Sequence, residues 1–575
     1  MRAVSSGPLA GARPSSRHVR RIATAVTAVV GVAALSACGA NEQTPSGASQ
    51  SDAAPGGTLN ILTDSASNPF DPAKSSGLAI TSLALVHRRL TSWHIAEGQA
   101  AKVVPDLATD TGKATDDGKT WTFTLKDGLK YSDGTPIVTA DIKWGVERSY
   151  AAAFSSGLSY HKPLLVGGAD YKGPFDGKEL DSIETPDTKT IVFHLVRSYG
   201  DWTWLASTPA FAPVPKGKGA EPTYGEHPVA SGPYQVAEYQ KGVKVRLTRN
   251  PNWDKKTDEV RKGLPDEVDF QLSQDTTTVS QRLVADSGAD QSAFGASFVS
   301  PAQLAQLQSD SSAKQRLVTS KSGALAYLAL NTKKGPLANV KVRQAFQYAV
   351  DKSAFQVASA GSAQLAGEVA TTLITPGITG REQYDQYQTK PTGDPDKAKQ
   401  LLADAGFPNG IDNLDFVVGK TNSGPDKAQA LQASLAKAGI KVNIRTLDSD
   451  TYDSEVTGND AKYDLVLGSW QPDFPSANGN IQPLFGTTEI GNGGYNISRY
   501  SNPDVDSLIE KAESTVDPTE AGKIWAQADK KIMQDSPVVP LIYTRNSFLH
   551  GSKVTGFSIA DFPSYPNYLV LGVNK

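Results

Sequence analysis

Cysteine is almost absent: the 575 residues hold one, Cys38. Disulfides cannot staple the fold, so its stability must come from buried core. The seven histidines (His18, His87, His94, His161, His194, His227 and His550) are scattered, with no pair at ligand spacing. No zinc centre is visible in that pattern. Long apolar runs are missing too. The run Ile22–Leu35 has 14 residues, short of the ~20 that cross a bilayer. Basic charge is not in excess, with 57 Lys and Arg against 60 Asp and Glu. That argues against a nucleic-acid partner, which needs clustered cations. There is no GxSxG, no P-loop and no GxGxxG after a strand. "ASGPY" (230–234) reads as a turn, and no short-period repeat suggests a solenoid or propeller. Neither a catalytic residue, a metal ligand nor a cofactor motif emerges.

What is present begins at the N-terminus. Residues 1–21 carry Arg2, Arg13, Arg17, Arg20 and Arg21 and no acid. A basic region, a short apolar region and small boundary residues predict a secretory signal peptide over 1–37. The boundary Leu35-Ser36-Ala37-Cys38 resembles the bacterial lipobox. The resemblance implies cleavage after Ala37 and lipid on Cys38, anchoring the exported chain to a membrane. One acyl chain holds only marginally, so two or three are expected. Arg20-Arg21 hints at twin-arginine export, but the hydrophobic residues that should follow are missing, which favours the general route. Losing five arginines makes the exported chain more acidic still. Residues 39–56 contain no large apolar side chain, so 38–56 reads as a flexible tether and folding starts near Gly57.

Beyond the tether, strands and helices alternate. Leu59, Ile61 and Thr63 mark a first strand, and "ALVHRRLTSW" reads as a helix end that includes Leu85 and Leu90. Trp121, Phe123 and Leu125 alternate as a half-buried strand, Asp127-Gly128 signals a hairpin, and Leu129 and Tyr131 continue the alternation. Thr139 offers the cap of a following helix. "DPDKAKQLLADAGFPNG" (394–410) reads as a helix capped by Asp394, with Pro395 first and Gly406 last. A second helix ends at Gly439, followed by a strand through Ile440, Val442 and Ile444, and "KYDLVLGSW" (462–470) is another strand.

Several of these stretches, taken in order, form a pattern. "WTFTLKDGLKYSDGTPIVTADIKWGVERS", "VASGPYQVAEYQKGVKVRLTRNPNW" (229–253), "YLALNTKKGPLANVKVRQAFQYAVDK" (327–352), "YDLVLGSWQPDFPS" (463–476) and "YNISRYSNPDVDSLIEKA" (495–512) resemble solute-binding protein family 5. These are the dipeptide- and oligopeptide-binding lipoproteins of ABC importers. The resemblance runs over about 57–575. It departs at Asp141-Ile142, where the family has Asp-Val, and at Ser231, where it has Thr.

The resemblance implies an α/β, two-lobed periplasmic-binding-protein-like fold of class II, with an extra domain inserted in lobe I. Lobe I would comprise 57–92, 228–323 and 538–575, the insertion 93–227, and lobe II 324–537. Most matched residues, such as Asp133, Gly134, Arg343 and Asp351, are expected to be structural. In oligopeptide-binding relatives a Trp at the end of a lobe II strand is followed three residues later by an Asp that pairs with the peptide's α-ammonium. Trp470-Gln471-Pro472-Asp473 keeps that spacing. The expected ligand-binding residues are Asp473, Trp470, Gln471 and Phe474.

The expected function is extracytoplasmic capture of peptides, without chemistry, for ABC permease and ATPase subunits by a lipid-anchored monomer. Two alternatives remain open at this stage. One is the same fold with an oligosaccharide or metal chelate; the other is a surface hydrolase. For the anchor, Cys38→Ser should leave folding intact and abolish lipidation. Membrane fractionation with labelled fatty acid checks this, and label retained on the variant would sink the lipobox reading.

Overall fold

Six consecutive residues, LAYLAL, form the strand Leu325–Leu330, which is buried at every position. A strand covered on both faces reads as a continuous apolar run. It sits third in a six-stranded sheet ordered Gly367–Val369, Val538–Thr544, Leu325–Leu330, Leu465–Trp470, Ile411–Gly419, Ile440–Leu447. One face packs on helices Val340–Ala349, Lys352–Ala360 and Gly424–Lys437 through Phe346, Phe355, Leu431 and Leu435. The computed structural model describes residues 55–154, 156–421 and 423–575. Cys38, the signal peptide and nearly all of the tether lie outside the described residues.

A second sheet has five strands, ordered Ala293–Gly295, Thr58–Leu62, Glu267–Gln271, Lys244–Arg249, Tyr234–Gln240. Thr58–Leu62 runs parallel to both of its neighbours. Between the first and last of these strands in sequence lies a four-stranded antiparallel sheet of Lys113–Thr115, Thr120–Thr124, Thr190–His194 and Ile183–Glu184. Two short strands, Leu317–Thr319 and Ser547–Leu549, pair where the chain passes between the five- and six-stranded sheets.

Buried ions tie the five-stranded and four-stranded regions together. Arg261 donates to both oxygens of Asp106 at 3.0 and 2.8 Å and to Asp258 at 3.2 Å. Arg88 donates to Asp106 at 2.8 Å, and Arg148 meets Asp71 at 3.1 Å. All six side chains are within 2% of full burial. Burial alone would raise the Asp258 carboxyl; Arg261 and Arg88 outweigh it and hold it well below the usual range.

The local signals hold at several points. Asp394 accepts from the Lys397 amide at 3.0 Å, with Pro395 opening the helix Pro395–Asp404. Asp351 caps Lys352–Ala360, Arg343 donates to the Leu337, Ala338 and Asp535 carbonyls, and Asp133 accepts from Thr135 across Gly134. Other expectations need correction. The helix near residue 85 is Ser82–Val86, and Leu90 leads into the strand Thr91–His94. The Arg88 guanidinium is committed to Asp106 and the Thr257 carbonyl, and the Arg89 backbone N–H donates to the Asp106 carboxylate rather than to a helix carbonyl. Thr120–Thr124 pairs with Thr190–His194 rather than with residues 129–131. Val138 holds the cap position, and the Thr139 hydroxyl donates to the Asp187 carbonyl. The strand Val538–Thr544 pairs with Leu325–Leu330, so the chain returns to the first lobe after Thr544, not at 538. Its run VVPLIY is buried throughout, which suits only an interior slot.

Asp529 holds the loop after the strand Gly367–Val369. It accepts from the Leu373 and Ile374 amides at 3.2 Å and from the Tyr384 hydroxyl at 2.8 Å. Burial pushes its carboxyl up to about 6. A carboxyl raised in the folded state favours folding fully below its unfolded pKa, and that contribution is lost as pH rises through the folded value. Asp529→Asn should therefore flatten the stability profile between pH ~4 and ~6 by on the order of 1–3 kcal/mol. Urea unfolding across that range checks it; an unchanged slope would count against an ionising Asp529.

Candidate functional site

The strand Leu465–Trp470 ends where Trp470 lies opposite Leu325, the first residue after the crossing between sheets. Ligands of α/β folds bind beyond such carboxyl ends. The chain then turns through Pro472, Asp473 and Phe474 into the helix Asn478–Phe485. Trp470 is held in place by its indole N–H, which donates to the Gly479 carbonyl at 2.6 Å. The turn is tight: a Cβ on Gly479 would stand 3.0 Å from the Pro472 side chain.

Asp473 is the acid of this turn. Its Oδ2 accepts from the Tyr160 hydroxyl at 2.6 Å. Tyr160 belongs to the region between the strands of the five-stranded sheet, 313 positions away in sequence. The bond therefore crosses from one lobe to the other. Burial raises the Asp473 carboxyl, and the Tyr160 bond partly opposes that. No Lys, Arg or His among the described residues pairs with it. Tyr160 is itself pushed up by burial and by the neighbouring Asp473 charge, so it stays a donor.

The other expected residues divide. Trp470 packs beside Tyr495, ring centroids 5.0 Å apart, and Tyr495 is 48% exposed. Phe474 is buried and meets the Tyr160 ring edge-on at 5.4 Å. Gln471 is half-buried, with no side-chain hydrogen bond among the described residues. Sequence reasoning missed Tyr160 and Tyr495. Tyr160 lies in "GLSYHKP", an irregular stretch without periodicity, and nothing there points to a distant carboxylate. Tyr495 opens a matched motif and follows the glycines of "GNGG", a weak signal of an exposed loop. The described residues contain no group of three or more His, Cys, Asp or Glu able to hold a metal, and no helix long and apolar enough to cross a membrane.

Known proteins share this architecture. Glutathione-binding protein GsiB of Salmonella typhi is 28% identical over 454 residues, covering 77% of this chain and 81% of that protein. GsiB of Escherichia coli O157:H7 is 27% identical over the same length. Among solved structures, clavulanic acid biosynthesis oligopeptide binding protein 2 superposes with a TM-score of 0.82 at 29% identity, covering 92% of this chain and 97% of that one. The murein tripeptide binding protein MppA, in its unliganded open form, gives 0.72 at 22% identity, covering 92% and 99%, a likeness of fold. The family described as bacterial extracellular solute-binding proteins, family 5, matches residues 102–492. That span holds Tyr160, Trp470 and Asp473. The chain belongs to the family 5 extracellular solute-binding proteins, the binding components of ABC importers, and is not an enzyme.

Proposed function

We propose that this protein captures peptides bearing a free α-amino group between its two lobes, closes on them and delivers them to an ABC permease. Lipid on Cys38 keeps it at the outer face of the cell membrane. The observation that carries the reading is Asp473, a half-buried carboxylate at the lobe junction with a phenol beside it and no cation among the described residues. A buried acid is costly unless paired, and a peptide ammonium is the missing partner. Backbone hydrogen bonding to an extended ligand would then be indifferent to side chains, while the carboxylate sets the register. The relatives support this class. Glutathione, named for GsiB, carries a free α-ammonium, and the oligopeptide binding protein is a peptide binder by name.

Asp473→Asn keeps the shape and removes the charge, leaving the ammonium buried without a counter-ion. Truncating such a pair costs roughly 2–5 kcal/mol, on the order of 30-fold to several thousand-fold in Kd. N-acetylation of the peptide should weaken wild-type binding strongly and the variant's binding little, because both changes delete one interaction. Calorimetry on the four combinations reads the coupling. Wild-type affinity should also fall as pH drops through the raised Asp473 pKa, since the ammonium binds the ionised form. Equal binding of free and acetylated peptides would make Asp473 a turn residue and shift the reading to a non-peptide solute.

A further inference from the structure

A second contact between the lobes lies apart from Asp473. The segment Arg197–Asp201, which follows the four-stranded sheet, seats on the six-stranded lobe at two places. At the start of helix Asn478–Phe485, the Ser476 hydroxyl donates to Asp201 at 2.7 Å and the Asn478 amide donates to the Tyr199 hydroxyl at 2.9 Å. At the end of helix Pro503–Ser514, the Gly200 N–H donates to the Glu513 carbonyl at 2.6 Å, and Arg197 meets the Glu513 carboxylate at 2.8 Å. The last carbonyls of a helix lack internal partners and carry partial negative charge. Here the other lobe supplies both the missing N–H and a cation. Tyr199, Ser476, Asn478 and Glu513 are all buried in the seam.

Gly200 makes this approach possible. A Cβ there would stand 2.1 Å from the Thr515 carbonyl oxygen and 3.1 Å from the Val516 Cα. Its φ lies outside the left-handed region, so alanine suits the local backbone. The clash is entirely with the opposite lobe.

We infer that Arg197–Asp201 is a positioning latch: it holds the lobes closed through contacts that involve no ligand, with Gly200 as its steric key. The latch brings Tyr160 onto Asp473 by seating the region that carries it. This rests on the proposed closing of the cleft, not on the ligand being a peptide. The seam also has a charge imbalance. Arg197, Tyr199, Asp201 and Glu513 are its titratable groups, with Tyr160 and its partner Asp473 adjoining, and one cation, Arg197, faces the carboxylates Asp201 and Glu513 while Asp473 adds a third with no cation. Burial raises the Asp201 carboxyl, against its bonds from Ser476 and Asn478, and burial raises that of Glu513 despite Arg197. A carboxyl raised in the closed state and hydrated in the open one takes up a proton on closing. Closure therefore strengthens as pH falls.

The test uses the full chain with Cys38→Ser and dyes on Lys178→Cys and Lys437→Cys, one exposed on each lobe. Single-molecule energy transfer reads the closed fraction without ligand from pH ~8 down to ~4, into the ordinary carboxylate range. The wild type should close progressively as pH falls. Gly200→Ala should lower the closed-to-open ratio roughly tenfold to a hundredfold at every pH, the range expected for overpacking, with an unchanged melting temperature. Asp201→Asn should stay closed with a shallower pH response. If Gly200→Ala fails to fold, Asn478→Ala and Arg197→Ala, which remove contacts without adding atoms, must each lower the closed fraction. A distribution identical to wild type in these variants, or a wild type that is permanently closed at all pH values, overturns the latch. Failure of the peptide reading shows separately, as indifference of binding to N-acetylation.

Discussion

The buried ion set around Arg261 is the constraint on which the arrangement depends. Arg88 precedes the four-stranded region, Asp106 lies within the stretch leading to it, and Asp258 and Arg261 follow it. Removing one member would leave a buried charge uncompensated, which typically costs about 3–5 kcal/mol. These residues cannot separate, so the inserted region and the five-stranded sheet act as one body. The two chain passages between the five- and six-stranded sheets run beside the paired strands Leu317–Thr319 and Ser547–Leu549. A hinge with only two covalent passages suits opening and closing.

That rigidity gives Asp473 its meaning. Its partner Tyr160 stands on the far body, so the environment of the carboxylate depends on whether the lobes meet. A half-buried acid without a cation is poor design for stability. Such departures cluster at functional sites, where a ligand completes the set. The phenol keeps the carboxylate hydrogen-bonded without neutralising it, the condition that the proposed pairing with a ligand ammonium requires.

Much of the fold was legible because its signals are local. The Asp394 cap, the glycines after helices and the strand in "KYDLVLGSW", found at Leu465–Trp470, each depend on neighbours within a few residues. The misreadings share one cause. Arg88 and Arg89 looked compatible with a helix, yet Arg88 is held by Asp106 and by the Thr257 side chain and carbonyl, partners far along the chain. The strand Val538–Thr544 was assigned to the wrong lobe because its pairing with Leu325–Leu330 spans more than 200 residues. Periodicity finds a strand; it does not say which sheet receives it.

The two-lobed class was legible only through the resemblance to family 5; by itself, the sequence determined the alternation of strands and helices, the acid at 473 and the lone Cys38, because covalent order, composition and short-range pattern are written directly in it. Tertiary structure alone decided that Tyr160 meets Asp473, that Asp106 and Asp258 share Arg261, and that Gly200 lies against Thr515. The Tyr160–Asp473, Asp106–Arg261 and Gly200–Thr515 contacts join residues more than 150 positions apart. Their geometry follows from how whole sheets pack, and no local energy term in the chain encodes it.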